Sequence, residues 1–102
     1  MRRRAARVDE NQGDIVDALR AIGCSVAPTS TAGDGFPDLV VGDRGRNYLI
    51  EIKDGDKPPS RRVLTQDQID FHSTWHGQIC VICTVAEAIV FITRERKHHE
   101  KN

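Results

Sequence analysis

Apolar and polar positions alternate along this chain with two periods. Ile15, Ala18, Leu19 and Ile22 stand at i, i+3, i+4 and i+7, the spacing that gathers side chains on one face of a helix. Asp9 is placed to cap that helix and Gly23 to stop it, which predicts a helix over about residues 10–22. Cys24–Ala27 then reads as a short strand, and PTSTAGDG, residues 28–35, as a loop dense in turn formers. From Asp38 the period changes. Asp38–Val41 and Asn47–Lys53 read as two strands joined by the tight turn GDRGR, which predicts a hairpin. DGDKPPSRR, residues 54–62, sets two prolines among charged side chains and forbids regular structure. Thr65 caps a second helix that ends at Gly77, QICVICT (78–84) is a further strand, and VAEAIVFIT (85–93) is a short closing helix. The order α, β, β, β, α, β, α predicts an α/β fold, a small mixed sheet flanked by helices.

The hairpin carries charges that a plain strand does not need. Within Tyr48–Lys53 the residues Tyr48, Ile50 and Ile52 share one face and Leu49, Glu51 and Lys53 the other. If Asp38, at the start of the neighbouring strand, lies across from them, two carboxylates and an ammonium converge at one edge of the sheet. Carboxylates a few ångströms apart repel unless a positive charge sits between them. An oxygen-lined pocket with open positions suits Mg²⁺, which takes one or two carboxylates and completes its shell with water and phosphate oxygens. Lys53 could then orient or deprotonate a water and stabilise charge on a phosphate. The competing explanation is a Glu51–Lys53 ion pair on a solvated face; the pairing with Pro37-Asp38 favours a site.

The second helix adds a polar residue where an apolar one is expected. Leu64, Gln68, Phe71 and Trp75 form one stripe at spacings of four, three and four, with Trp75 as a core anchor. A buried amide at Gln68 must be hydrogen-bonded, either as a satisfied core glutamine or to the lysine and carboxylates of the site. His72 and His76 stand at i, i+4, but no acid or cysteine is placed to join them on a metal, and they read as surface or phosphate-contacting side chains. Asp34 and Asp43 sit beside glycines and read as turn residues.

Length and composition narrow the classes. The chain of 102 residues makes one domain, and 15 basic against 15 acidic residues imply no bulk electrostatic grip on nucleic acid or membrane. The charge is concentrated instead. Arg2, Arg3, Arg4 and Arg7 crowd one end and Arg94, Arg96, Lys97, His98 and His99 the other, as phosphate-seeking arms or as solvated ends. This parses the chain into a basic arm (1–8), a domain (9–93) and a charged tail (94–102). Cys80 and Cys83 form a CxxC, but no second pair of ligands is spaced for zinc, so they and Cys24 read as core thiols. No stretch approaches the ~18 apolar residues of a membrane span, and no signal peptide precedes the chain. A reduced, cytoplasmic protein is expected.

Pro37-Asp38, twelve intervening residues and Glu51-Ile52-Lys53 match the PD-(D/E)XK pattern. With GFPDLVVG, LIEIKDG and PPSRRVLTQDQIDFHSTWHG around it, the chain resembles the small stand-alone VRR-NUC (virus-type replication-repair nuclease) proteins of phages and prophages, from about Asp9 to Ile92. The resemblance implies a restriction-endonuclease-like αβββαβ core in a bacterial host cell. It also implies a Mg²⁺- or Mn²⁺-dependent DNA endonuclease that leaves a 5′-phosphate and a 3′-hydroxyl. Asp38 and Glu51 would bind the metal with the Ile52 carbonyl, Lys53 would be the catalytic lysine, and Gln68 would stand beside it. One position departs from the pattern: where many relatives carry a first-helix glutamate, this chain has Gln12, with Glu10 two residues earlier. A catalytically weakened DNA-binding accessory module is therefore the alternative. Nothing in the chain reads base edges, so DNA contacts are expected at phosphates, from Lys57, Arg61, Arg62 and the arm residues Arg2, Arg3 and Arg4. Single-domain relatives pair, which implies a homodimer acting on branched DNA in the manner of a Holliday-junction resolvase. The apolar face Val85, Ile89 and Ile92, with Val90 and Phe91 beyond it, is its expected surface.

Overall fold

A computed structural model describes residues 9–100; the expected arm residues Arg2, Arg3 and Arg4 lie outside the described residues. The elements follow in the expected order: α1 (Gln12–Ala21), β1 (Ser25–Pro28), β2 (Leu39–Asp43), β3 (Arg46–Ile52), a 3₁₀ turn (Pro59–Arg61), α2 (Gln66–Thr74), β4 (Ile79–Ile82) and α3 (Val85–Glu100).

The strands form one mixed sheet in the order β1-β2-β3-β4, with β1, β2 and β3 antiparallel and β4 parallel to β3. Asp43 pairs with Arg46, leaving Arg44 and Gly45 as a two-residue loop. Both have positive φ, 49° and 82°, the backbone of a type I′ hairpin, whose twist matches that of the strands. The pairing sets Leu39 opposite Ile50 and Val41 opposite Tyr48. These four residues, with Ile52 and Ile82, meet Ile15, Val16 and Leu19 of α1 and Ala88 and Ile92 of α3 in a single core. Each fully buried Leu or Ile contributes on the order of 1.5–3 kcal/mol. One face of the sheet is thereby closed by α1 and α3.

Two helix ends differ from expectation. Asp9 does not cap α1 with its side chain: the N-cap is Asn11, without a side-chain cap bond, and Asp9 contributes only its carbonyl, which accepts from the Gln12 N–H. The Asn11 amide instead donates to the carbonyls of Lys53 (3.2 Å) and Cys83 (2.8 Å), stitching α1 to the ends of β3 and β4. At the other end of the chain, α3 runs on to Glu100, so the segment from residue 94 to 100 is not a separate tail. Arg96 holds it down. Its guanidinium makes a bidentate pair with Asp43 (2.9 and 2.8 Å) and donates to the Ile22 carbonyl. Asp43 is therefore more than a turn residue; the Arg96 hydrogen bonds outweigh burial and hold its carboxyl below the usual range. The buried stripe of α3 is Ala88 and Ile92, with Val85 and Phe91 packed beside them, Phe91 edge-on to Tyr48. Ile89, expected on the stripe with Val85 and Ile92, is exposed, as is Val90.

The opposite face of the sheet meets α2. Thr65 caps it as expected, accepting from the Gln68 N–H while the Gln68 side chain accepts from the Thr65 N–H, a complete capping box. Its first turn lies tight against the loop ahead of β2: a Cβ on Gly35, at φ +79°, would stand 2.2 Å from the Asp67 carbonyl oxygen. Only glycine fits there. Phe36 and Phe71 meet edge to face, and Trp75 stacks on Phe71. Trp75 is 43 % exposed, not a core anchor, because α2 stops at Thr74 and the indole is left at the rim. Of the cysteines, Cys24 is buried, while Cys80 and Cys83 are partly covered. Among the described residues, no helix is long and apolar enough to cross a membrane.

Candidate active site

The site begins where β2 runs out of backbone to offer β3. One step beyond the Leu39–Ile50 pair, Asp38 stands across from Glu51, and its Oδ2 accepts the Ile52 N–H at 2.7 Å in place of a backbone carbonyl. Its Oδ1 accepts from the Ser30 hydroxyl at 3.2 Å. The carbonyl of Ile52 leaves the strand on the same side as its N–H, so it shares this edge with Asp38. Strand parity sends Glu51 and Lys53 to the face opposite the Ile50 core, toward α2.

Glu51 is 1 % exposed. Its Oε2 accepts from the Gln68 amide at 3.0 Å, while its Oε1 is buried without a hydrogen-bond partner. Burial first, then the neighbouring Asp38 carboxyl, push the Glu51 carboxyl up to about 9, against the pull of Lys53. An ordinary carboxyl would be ionised at neutral pH; this one keeps its proton until positive charge arrives. Lys53 donates from Nζ to Gln68 Oε1 at 2.9 Å. Among the described residues no Glu51–Lys53 ion pair forms, so the plain salt-bridge explanation of these residues does not hold.

Gln68 joins the pair. Its Oε1 accepts from both the Lys53 ammonium and the Thr65 N–H, and its Nε2 donates to Glu51. That orientation is the one the neighbours require, since the reverse would face N–H groups toward a cation and a second donor. The same side chain thus starts α2 and spaces the lysine from the carboxylate. Gln12 is buried, and its Oε1 faces the Ser30 hydroxyl at 3.4 Å, so it reaches Asp38 at one remove. Glu10 lies exposed in the turn ahead of α1 and joins none of these contacts.

Two side chains enter that the sequence assigned elsewhere. The Asp9 carboxyl is raised by burial and then by the charge of Asp38, with Lys53 and Lys57 opposing, which puts it within electrostatic reach of the site. Its cue in the sequence was a carboxylate just ahead of Gln12, but a helix-cap role accounted for it equally well. His72 is one helical turn beyond Gln68, and its Nε2 stands 4.0 Å from Glu51 Oε1. The signal was the i, i+4 relation to Gln68; pairing it with His76, which is exposed, pointed the wrong way. Of the expected phosphate contacts, Lys57 and Arg61 are exposed and Arg62 donates from Nε to the Lys57 carbonyl at 2.7 Å, folding this basic loop on itself.

A divalent cation fits the donor set in one way and not in another. Two facing carboxylates, one with an orphaned buried oxygen, and a strand-edge carbonyl make an oxygen-sided hemisphere. Among the described residues, no three His, Cys, Asp or Glu side chains close into a metal cage. Such an open half-shell is what Mg²⁺ uses, completing its octahedron with water and substrate. Compared with models of protein families, with curated proteins and with solved structures, the chain matches none.

Proposed function

We propose that this chain is a Mg²⁺- or Mn²⁺-dependent DNA endonuclease of the VRR-NUC type that hydrolyses phosphodiester bonds. The observation that carries this is the convergence of Asp38, Glu51 and Lys53 at one end of the sheet with Gln68 of α2, joined by the hydrogen bonds of Gln68 to both Lys53 and Glu51. Asp38, Glu51 and the Ile52 carbonyl would hold the cation, which supplies Lewis-acid polarisation of the phosphate and of the attacking water. Lys53, held by Gln68, presents its ammonium at the mouth of the site to orient a water and to balance charge on the phosphate. Asp38 is itself kept in place by the Ile52 N–H and Ser30, so the carboxylates are organised before substrate binds. Lys57, Arg61 and Arg62 follow β3 in one segment and would serve as phosphate contacts that position DNA without reading bases.

A two-fold homodimer cutting branched DNA extends this proposal. Two symmetric incisions across a four-way junction need two sites facing opposite strands, which a two-fold axis supplies. The exposed apolar residues Val81, on the edge strand β4, and Ile89 and Val90, on α3, offer the surface for it.

The test is incubation of the full chain with supercoiled plasmid and with labelled four-way junctions in Mg²⁺ and in Mn²⁺, beside Lys53→Ala. Cleavage by the wild type and none by the variant is expected. DNA binding with no cleavage in either metal would replace the enzyme with the accessory-module alternative that Gln12 suggests.

A further inference from the structure

The hydrogen bonds of the site leave two buried atoms over. Glu51 Oε1 and His72 Nε2 are each buried without a partner, and they face each other at 4.0 Å. That is too long for a hydrogen bond. Buried polar atoms are nearly always satisfied, and a facing pair of orphans calls for a third body between them. A cation held at Glu51, as proposed above, would satisfy both. Two donors to one first-row ion, at about 2.1 Å each, can stand no further than about 4.2 Å apart. The pair falls within that limit, near its upper end; Asp38, Glu51 and His72 form no closed cage as they stand, and an ion would draw them together. The His72 side chain is only 15 % exposed, so its ring sits inside the pocket beside the carboxylate.

We propose that His72 Nε2 is a direct nitrogen ligand of the cation bound at Glu51, and that the site therefore selects Mn²⁺, or another first-row ion that accepts imidazole, over Mg²⁺. This rests on the metal-dependent site proposed above. A first-row transition ion accepts an imidazole beside its oxygen ligands, Mn²⁺ less strongly than the later ones, whereas Mg²⁺ keeps to oxygen, so one ring on α2 decides which metal the carboxylates hold. Lys53 and Gln68 keep their places, because His72 shares neither hydrogen bond with them.

Electron spin-echo envelope modulation of Mn²⁺ bound to the full chain reads the ligand atom without reference to cleavage. The wild type should show ¹⁴N modulation that persists in His76→Ala and disappears in His72→Ala and His72→Gln. Mn²⁺ affinity should fall about tenfold in the His72 variants, with Mg²⁺ affinity unchanged. A Mn²⁺ signal that is lost in Asp38→Asn but carries no ¹⁴N modulation in the wild type overturns the nitrogen ligand and leaves the two-carboxylate site standing. No bound Mn²⁺ at millimolar concentrations overturns both. A wild-type spectrum without ¹⁴N modulation overturns the proposal whether or not the His72 variants fold, and His72→Gln that folds by circular dichroism but keeps the modulation does so too.

Discussion

Glu51 is where stability and chemistry oppose each other most directly. Its folded carboxyl sits at about 9 against an ordinary value of 4.5, so the folded protein binds this proton more tightly than the unfolded chain does. The linked stability is complete below the ordinary value and drains away as pH rises toward the folded one. Without metal, the melting temperature should therefore fall between pH 5 and pH 9. Glu51→Gln, which keeps the shape and cannot ionise, should flatten that decline and melt higher at pH 8. Calorimetry across this range checks it, and an unchanged slope would remove Glu51 as its source. The same substitution, like Asp38→Asn, should lower cleavage by on the order of 10²-fold or more. DNA affinity, measured by fluorescence anisotropy without metal, should be unchanged in Glu51→Gln, which replaces a carboxyl that already holds its proton, and equal or higher in Asp38→Asn, since less negative charge then faces the phosphates. A variant that still cuts at the wild-type rate would refute the role of that residue.

At the scale of elements, two helices are each tied by one side chain. Gln68→Ala removes one of the two capping-box bonds of α2 together with the contact that holds Lys53. About 1 kcal/mol of stability should be lost, and cleavage should fall further than that loss accounts for. Urea unfolding beside a cleavage assay separates the two effects, and a variant with full activity would limit Gln68 to capping. Arg96 ties α3 to the hairpin end and to the last turn of α1. Its removal strands a buried Asp43 carboxylate, so Arg96→Ala should cost about 3–5 kcal/mol in urea unfolding. A loss under about 1 kcal/mol, the range of an exposed pair, would mean that water reaches Asp43 once the arginine is gone.

For the whole molecule, the open question is assembly. Val81 and Val90 put apolar surface on the β4 and α3 side, and a charge there should oppose pairing. Light scattering of the wild type at micromolar concentration should give twice the 11.4 kDa chain mass, and Val90→Glu should return the monomer with its fold intact by circular dichroism. A monomeric wild type, with and without junction DNA, would rule the dimer out. A dimer unaffected by Val90→Glu would move the interface elsewhere.

Much of this molecule is legible in its residues because the relevant physics is local. Period-2 alternation already sets Glu51 and Lys53 on one face of a strand, a tight turn at Arg44-Gly45 makes the hairpin, and the hairpin brings Asp38 across from Glu51. Thr65 and Gln68 lie three residues apart, so their capping box is equally local. What depends on distant partners could not be read this way. Whether a carboxylate caps a helix or comes within electrostatic reach of a site, as Asp9 does, depends on where strands far along the chain end. His72 gains its place from the approach of α2 to β3, and Arg96 is tied down by Asp43, 53 residues away, which accepts two of its hydrogen bonds. Side-chain spacing specifies which residues share a face; only packing decides what that face meets, because burial and charge pairing are settled by neighbours that the chain brings together last.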